Sequence, residues 1–208
     1  MSDMRVRRHY RIAAFEEDLC LDFANTRYWR GRGAALETLG DTASLRDWCV
    51  RDGGVDAALV AATLRPDAGN TVLEAALAAR ECMYRAFAAV ACGNEVASGD
   101  LRRLTALLAA APARDGMEWR STGLAWRIQA PACVEALLAP VIWSAADLLA
   151  RAGMRRIRCC GNPQCLWLFL DRSKNGTRRW CDMAACGNRA KAARHYERTR
   201  RAAPGGHS

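Results

Sequence analysis

Five of the ten cysteines in this 208-residue chain, Cys159, Cys160, Cys165, Cys181 and Cys186, fall within 28 residues. They read as Cys160-x4-Cys165, fifteen further residues, then Cys181-x4-Cys186. Two such pairs stand at close to the separation of a four-ligand structural zinc site. Zinc needs its thiolates about 2.3 Å away in a tetrahedron, and a short loop delivers two of them at small entropic cost. Asn162-Pro163 inside the first pair is turn chemistry that suits a knuckle. Cys159 is a fifth thiol; the equal loops favour Cys160 as ligand, and substitution by Cys159 stays open. Buried free thiols or a disulfide are the alternatives. No histidine lies between the pairs and no carboxylate completes an open position, so the one metal expected is structural Zn2+. A 58-residue segment of this composition has little core of its own, whereas zinc contributes roughly 10–16 kcal/mol in finger-sized peptides.

The charge follows the cysteines. Residues 151–208 carry 14 Lys and Arg against 3 Asp and Glu, while residues 1–150 carry 17 against 19. A basic excess confined to one module points to a polyanionic partner. Between the pairs, Trp167 to Trp180 reads as a hairpin with Ser173-Lys174-Asn175-Gly176 as its turn and Trp167, Phe169 and Trp180 as apolar contacts. Beyond Cys186 the composition is helical to Arg201, with arginines around much of the circumference. Such a helix can lie in a major groove or along phosphates, or simply be a solvated face. On the first reading, Lys174, Arg178, Arg179, Arg194 and Arg198 contact phosphates of duplex DNA, and Arg189 or Lys191 reaches base edges.

The elements before the cysteines read as a mostly helical α+β domain over residues 1–150. Residues 70–92 form an amphipathic helix, with Asn70 or Thr71 and Glu74 as a capping box and Gly93-Asn94 as its stop. Further helices are expected over 100–111, over 131–152 with a bend at Pro140, and over 44–51 and 55–64. Residues 117–129 alternate as a β-hairpin turning at Ser121-Thr122-Gly123. In Leu19-Cys-Leu-Asp-Phe-Ala-Asn-Thr26 the alternation suits a short strand, and Asp22, Asn25 and Thr26 are either ligand contacts or local backbone caps. Trp126, with Trp119 and Trp143, either lines a small-molecule cavity or fills core. Cys20, Cys49, Cys82, Cys92 and Cys133 read as core fillers.

The run from Cys160 through Phe169-x-Asp171-x-Ser173-Lys174-Asn175 to Arg178-Arg179-Trp180-Cys181-x-Met183-x-x-Cys186-Gly187-Asn188-Arg189-x-Lys191 resembles the CGNR zinc finger. The opening Leu19–Thr26 motif resembles that of the ABATE domain, which precedes this finger in the family. The resemblance implies a bacterial transcription regulator of two parts: an ABATE-like sensing domain over 1–150, and over 151–201 a treble-clef or ribbon-like four-cysteine zinc finger that binds DNA. A small-molecule effector and a homodimer are the partners that the first part would take. Residues 202–208 are expected to be a flexible tail. No phosphate loop, dinucleotide fingerprint or nucleophile elbow occurs, and Asp22 has no second catalytic group near it in sequence, so an enzyme is not expected. A protein- or RNA-docking knuckle is the other class that these residues allow. The absence of a signal-like run or a long apolar stretch leads us to expect a cytoplasmic chain with no membrane partner.

Overall fold

Apolar residues at helical spacing between positions 73 and 91 generate the longest element of the structure, and the rest of the chain packs around it. The computed structural model describes residues 8–121, 123–151 and 156–202. In chain order the elements are β1 (Arg8–Ala13), α1 (Leu19–Ala24), β2 (Arg27–Tyr28), β3 (Leu36–Glu37), α2 (Thr42–Arg51), α3 (Ala57–Thr63), α4 (Gly69–Ala91), α5 (Ser98–Ala110), β4 (Gly116–Arg120), β5 (Gly123–Ala130), α6 (Val134–Leu137), α7 (Ala139–Ala150), β6 (Ile157–Cys159), β7 (Leu168–Leu170) and α8 (Asn188–Ala202). The architecture is α+β and mostly helical, with three small antiparallel sheets.

The hairpin expected over 117–129 is β4–β5, and Gly123 turns it with φ +113°. Its Thr122 lies outside the described residues. Strand β1 adds to the other edge of β5, with Tyr10 opposite Ile128 and Ile12 opposite Trp126. The side chains of Tyr10, Ile12, Ile128 and Ala130 go into the core.

Four local expectations need correction. Leu19–Ala24 is a helix, not a strand: Cys20 and Ala24 are as buried as Leu19, Leu21 and Phe23, so burial wraps round the segment instead of alternating. Helix α4 starts at Gly69 after a 3-10 turn, which puts Asn70 and Thr71 inside its first turn and not at its cap. Pro140 does not bend a long helix; it occupies the first turn of α7, where the missing N–H is harmless, and the break is at Leu138. Trp119 is 78% exposed, whereas Trp143 is buried and donates its indole N–H to the Pro112 carbonyl. Cys20, Cys49 and Cys82 are buried as expected and Cys133 is half-buried; Cys92 is exposed just past the end of α4, a fifth correction, to its reading as a core filler. Of the tail expected over 202–208, Ala202 is the last residue of α8 and not tail; residues 203–208, and the expected helix end at Ala152, lie outside the described residues.

Beside α4, the buried Arg80 donates to both carboxylate oxygens of Glu37 at 2.6 Å, to Glu81 at 3.0 Å and to Thr26 Oγ1 at 3.1 Å. A fully buried guanidinium is tolerable only when its donors are satisfied, and the bidentate pair meets that demand. Burial pushes Glu37 up, but the hydrogen bonds from Arg80 outweigh it and hold the carboxyl below its ordinary range.

The cysteine-rich segment shares this core. Ile157, Leu168 and Leu170 are buried in the same apolar cluster as Leu21, Phe23 and Met83. Asn25 lies against the outer edge of β7: its Nδ2 donates to the Leu168 carbonyl at 2.8 Å and its Oδ1 accepts from the Leu168 N–H at 3.0 Å. One side-chain amide thus does for β7 what a neighbouring strand would do. Asn25→Ala leaves both Leu168 groups buried without partners, at roughly 1–3 kcal/mol each. Urea unfolding of the full chain should show a loss of about 2–6 kcal/mol; a change within error would mean that the amide does not hold β7 in place.

Candidate metal centre and nucleic-acid interface

Strands β6 and β7 carry the first cysteine pair on the loop between them. The Cys160 N–H donates to the Trp167 carbonyl at 2.8 Å, and the Cys165 N–H to the Asn162 carbonyl at 2.9 Å. Asn162 also accepts from the Gln164 N–H and donates to Cys186 Sγ at 3.5 Å. The second pair frames a π-turn, Met183–Gly187, that runs into α8; Asp182 caps it by accepting from the Ala185 N–H. A hydrogen bond from the Gly161 N–H to the Arg179 carbonyl at 2.8 Å joins the two knuckles. The expected Trp167–Trp180 hairpin is not formed. Strand β7 pairs with β6 instead, and 177–180 is not a strand. Buried Asp171 organises that loop by accepting from the Ser173 and Arg178 N–H groups, each at 2.9 Å.

The Sγ atoms of Cys160, Cys165, Cys181 and Cys186 all lie within 4.8 Å of one another. Cys165 to Cys181 is 3.7 Å and Cys181 to Cys186 is 3.8 Å. A tetrahedron with metal–sulfur bonds of about 2.3 Å has edges of about 3.8 Å. The donor set therefore fits a metal ion of that size. A hydrogen bond with Cys181 is the main cause that draws the Cys165 thiol down to about 5, and Cys181 is pushed up in return. Negative charge concentrated on clustered sulfurs is what a divalent cation neutralises. Cys159 stands outside the group: it pairs with Leu168 in the β6–β7 ladder and packs on the main core, and burial pushes its thiol up to about 11.

The expected nucleic-acid residues divide. Lys174, Arg179, Arg189, Lys191 and Arg198 are exposed, and the side chain of Arg194 lies outside the described residues. Arg178 is also exposed, but its guanidinium donates to the carbonyls of Trp180 and Cys181 and sits 4.7 Å from the Phe169 ring centroid. It braces the second knuckle from an exposed position. Trp29, which no sequence signal singles out, packs against the cysteine cluster with Trp167 and Trp180.

The expected ligand contacts divide as well. A cleft of about 710 Å3 is lined by Asp22, Thr26, Phe15, Trp48 and Asp52, and by Trp167 from the finger. Asn25 is not among its lining residues, because its amide is fully used on Leu168, and Trp126 lies elsewhere, half-buried beside Trp143. Thr26 Oγ1 donates to the Phe23 carbonyl and accepts from Arg80. The Asp22 N–H donates to the Asp18 carbonyl at 3.2 Å, and its carboxylate has no hydrogen bond among the described residues. Desolvation in the cleft wall, then Asp18 and Asp52, raises its carboxyl to about 6 against a partial counter-effect from Arg172.

Two family models match the chain. One, the CGNR zinc finger, covers residues 156–199. The other, ABATE, described as "Putative stress-induced transcription regulator", covers residues 17–152, which is more than half of the sequence. The chain belongs to the ABATE family. No curated protein matches it. Both matches describe regulatory or zinc-finger proteins, and among the described residues no helix is long and apolar enough to cross a membrane.

Within the ABATE region the opening motif thus has a mixed role. Leu19, Leu21 and Phe23 fill core, Asn25 holds the finger, and Asp22 faces the cleft. Tyr84 and Gly31 are not legible in the sequence as junction residues. Tyr84 donates its hydroxyl to the Leu166 carbonyl at 2.8 Å, and the Gly31 N–H reaches the Gln164 carbonyl at 3.3 Å. Both bind main-chain groups, which leave no trace in side-chain pattern.

Serine at Cys165 or Cys181 should abolish bound metal, measured by elemental analysis of the purified chain, whereas Cys159→Ser should retain the wild-type content. Loss in the Cys159 variant would displace Cys160 from the donor set. Asp22 supplies a pH test. Its folded-state pKa lies above the ordinary 3.8, so folding disfavours its ionised form; the penalty is present above about pH 6 and gone below about pH 4. Asp22→Asn should therefore raise the melting temperature at pH 7.5 and leave it unchanged at pH 4. An equal effect at both pH values would mean that the carboxyl is not desolvated in the cleft.

Proposed function

We propose that this chain is a DNA-binding transcription regulator in which Cys160, Cys165, Cys181 and Cys186 hold one structural Zn2+. Four thiolates in a tetrahedron are the donor set of structural zinc, and with no open position the ion serves folding and not catalysis. The observation that carries the reading is the start of α8: it follows directly on Cys186, so the metal centre fixes the direction in which its exposed arginines leave the protein. Lys174, Arg179 and Arg198 supply phosphate contacts; of the two candidates for base edges, Lys191 takes that role, and Arg189, held 4.7 Å from the Trp29 ring centroid, takes a phosphate.

The cleft beside Asp22 supports the sensing half of the proposal. Asp22, Asp47, Asp52 and Glu16 stand on its wall with Trp48 and Trp167 against a single cation, Arg51. That lining favours a small organic cation with an apolar body. Trp167 touches both the cleft and the cysteine cluster, which gives an effector a direct route to the finger. The chain then works in the cytoplasm as a regulator without catalytic activity.

Titration of the zinc-loaded full chain onto mixed-sequence duplex DNA across a salt series tests this. With roughly six phosphates engaged, log K should fall against log salt with a slope of about −5. No binding at low salt would overturn the DNA reading. Tighter binding to RNA of the same sequence would move the chain to the RNA-docking class.

A further inference from the structure

The segment Arg27–Gly33 lies in the ABATE region, whose net charge gives no hint of an anionic partner, yet it meets the finger at the start of α8. Its three arginines are used differently. Arg27 and Arg30 pair with Glu81 at 3.8 and 2.7 Å. Arg32 has no carboxylate within ion-pair distance among the described residues; its guanidinium carbon lies 3.9 Å from the centroid of the Trp29 ring. Arg189, at the start of α8, lies 4.7 Å from the centroid of that same ring. One indole thus carries two exposed guanidiniums from opposite ends of the chain, separated by no more than the sum of those two distances.

The arrangement is built rather than incidental. Trp29 (φ +53°) and Leu166 (φ +56°) are the two non-glycine residues with left-handed backbone among the described residues, and both lie at this junction. The Arg32 N–H donates to the Trp29 carbonyl at 2.9 Å and closes the turn that presents the arginine. A Cβ on Gly31 would stand 1.8 Å from the Pro163 carbonyl oxygen, so only glycine lets the turn sit on the first knuckle. Two like charges stacked on one ring repel each other, and an anion between or beside them relieves that repulsion.

We propose that Arg32, held on Trp29, is a DNA-contacting residue that takes a backbone phosphate next to the one bound by Arg189, so that the DNA surface spans both family regions. The proposal rests on the DNA-binding reading above. Duplex backbone is favoured over a free anion because the pair stands beside the cysteine cluster together with exposed Arg179, which lies 5.6 Å from the centroid of Trp180 on that same cluster, in a segment, 151–208, that carries 14 Lys and Arg against 3 Asp and Glu.

The test uses the zinc-loaded full chain and its Arg32→Gln, Arg32→Lys and Arg189→Gln variants, with mixed-sequence duplex DNA followed by fluorescence anisotropy over a salt series. Zinc content and melting temperature are measured for each. Loss of one phosphate contact lowers the magnitude of the salt slope by about 0.9. Arg32→Gln and Arg189→Gln should each show that decrease with weaker binding at low salt, and Arg32→Lys should restore most of the slope by keeping the charge. If the wild type binds but Arg32→Gln keeps both slope and affinity, the composite surface is wrong and the finger alone binds DNA. If Arg32→Gln weakens binding and lysine fails to restore the slope, Arg32 supports the junction and does not touch phosphate, which overturns the proposal. If the wild type does not bind at all, both readings fall.

Discussion

The side-chain amide of Asn25 meets both main-chain groups of Leu168, and the placing of the finger follows from that contact. The sheet β6–β7 has only two short strands, and such a pair is marginal by itself in water. Its outer edge would expose an N–H and a carbonyl to a dry environment, since Leu168 and its neighbours are buried. Asn25 satisfies both, and the apolar side chains of Ile157, Leu168 and Leu170 are then free to join the core beneath α4. The metal knuckle, which hangs on the same two strands, inherits its position from this pairing. So does α8, whose start is tied to the knuckle through Cys186.

Buried charge supports the same junction. Arg80 on α4 gathers Thr26, Glu37 and Glu81, and Glu81 in turn holds Arg30, whose guanidinium stacks 3.7 Å over the Tyr84 ring. Tyr84 then reaches Leu166 in the finger. Each donor in the series is oriented by the next, so the polar groups that line the junction specify one geometry, where an apolar contact alone would tolerate sliding. Two long arginine side chains are immobilised in the process, an entropic cost that satisfied bidentate pairing offsets.

The sequence is most legible where spacing alone carries the chemistry. Two equal cysteine loops identify the four sulfurs, and the sulfur positions agree with that reading. The helices over 70–92, 100–111 and 44–51 are legible from their apolar periodicity, and the hairpin over 117–129 from its alternation and the glycine at its turn. Leu19–Ala24 reads falsely as a strand because helical burial on nearly every side also produces buried residues at every second position. Strand β7 has a different partner from the one its sequence suggests: the hairpin signal at Ser173–Gly176 is real turn chemistry, but buried Asp171 closes it as a loop. The local contacts of Arg178 are not legible, because nothing in composition says that carbonyls of Trp180 and Cys181 lie within its reach. Asn25 stays open in the sequence between ligand contact and local cap, and it is neither, since its partner is 143 residues away.

The hydrogen bonds that seat the stretch 164–168 of the finger are aimed at its main chain. Gly31 meets the carbonyl of Gln164, Tyr84 that of Leu166, and Asn25 both groups of Leu168. Main-chain groups are the same whatever side chain they bear, so these hydrogen bonds follow a path of the backbone, whereas the buried Ile157, Leu168 and Leu170 and Arg172, paired with Glu17 and Asp18, are held by their side chains. Exposed side chains outside those contacts can change without loosening the seat. Divergence of the exposed face and retention of architecture are thereby decoupled: two chains of this design can differ in the residues that α8 presents and still present them in the same orientation.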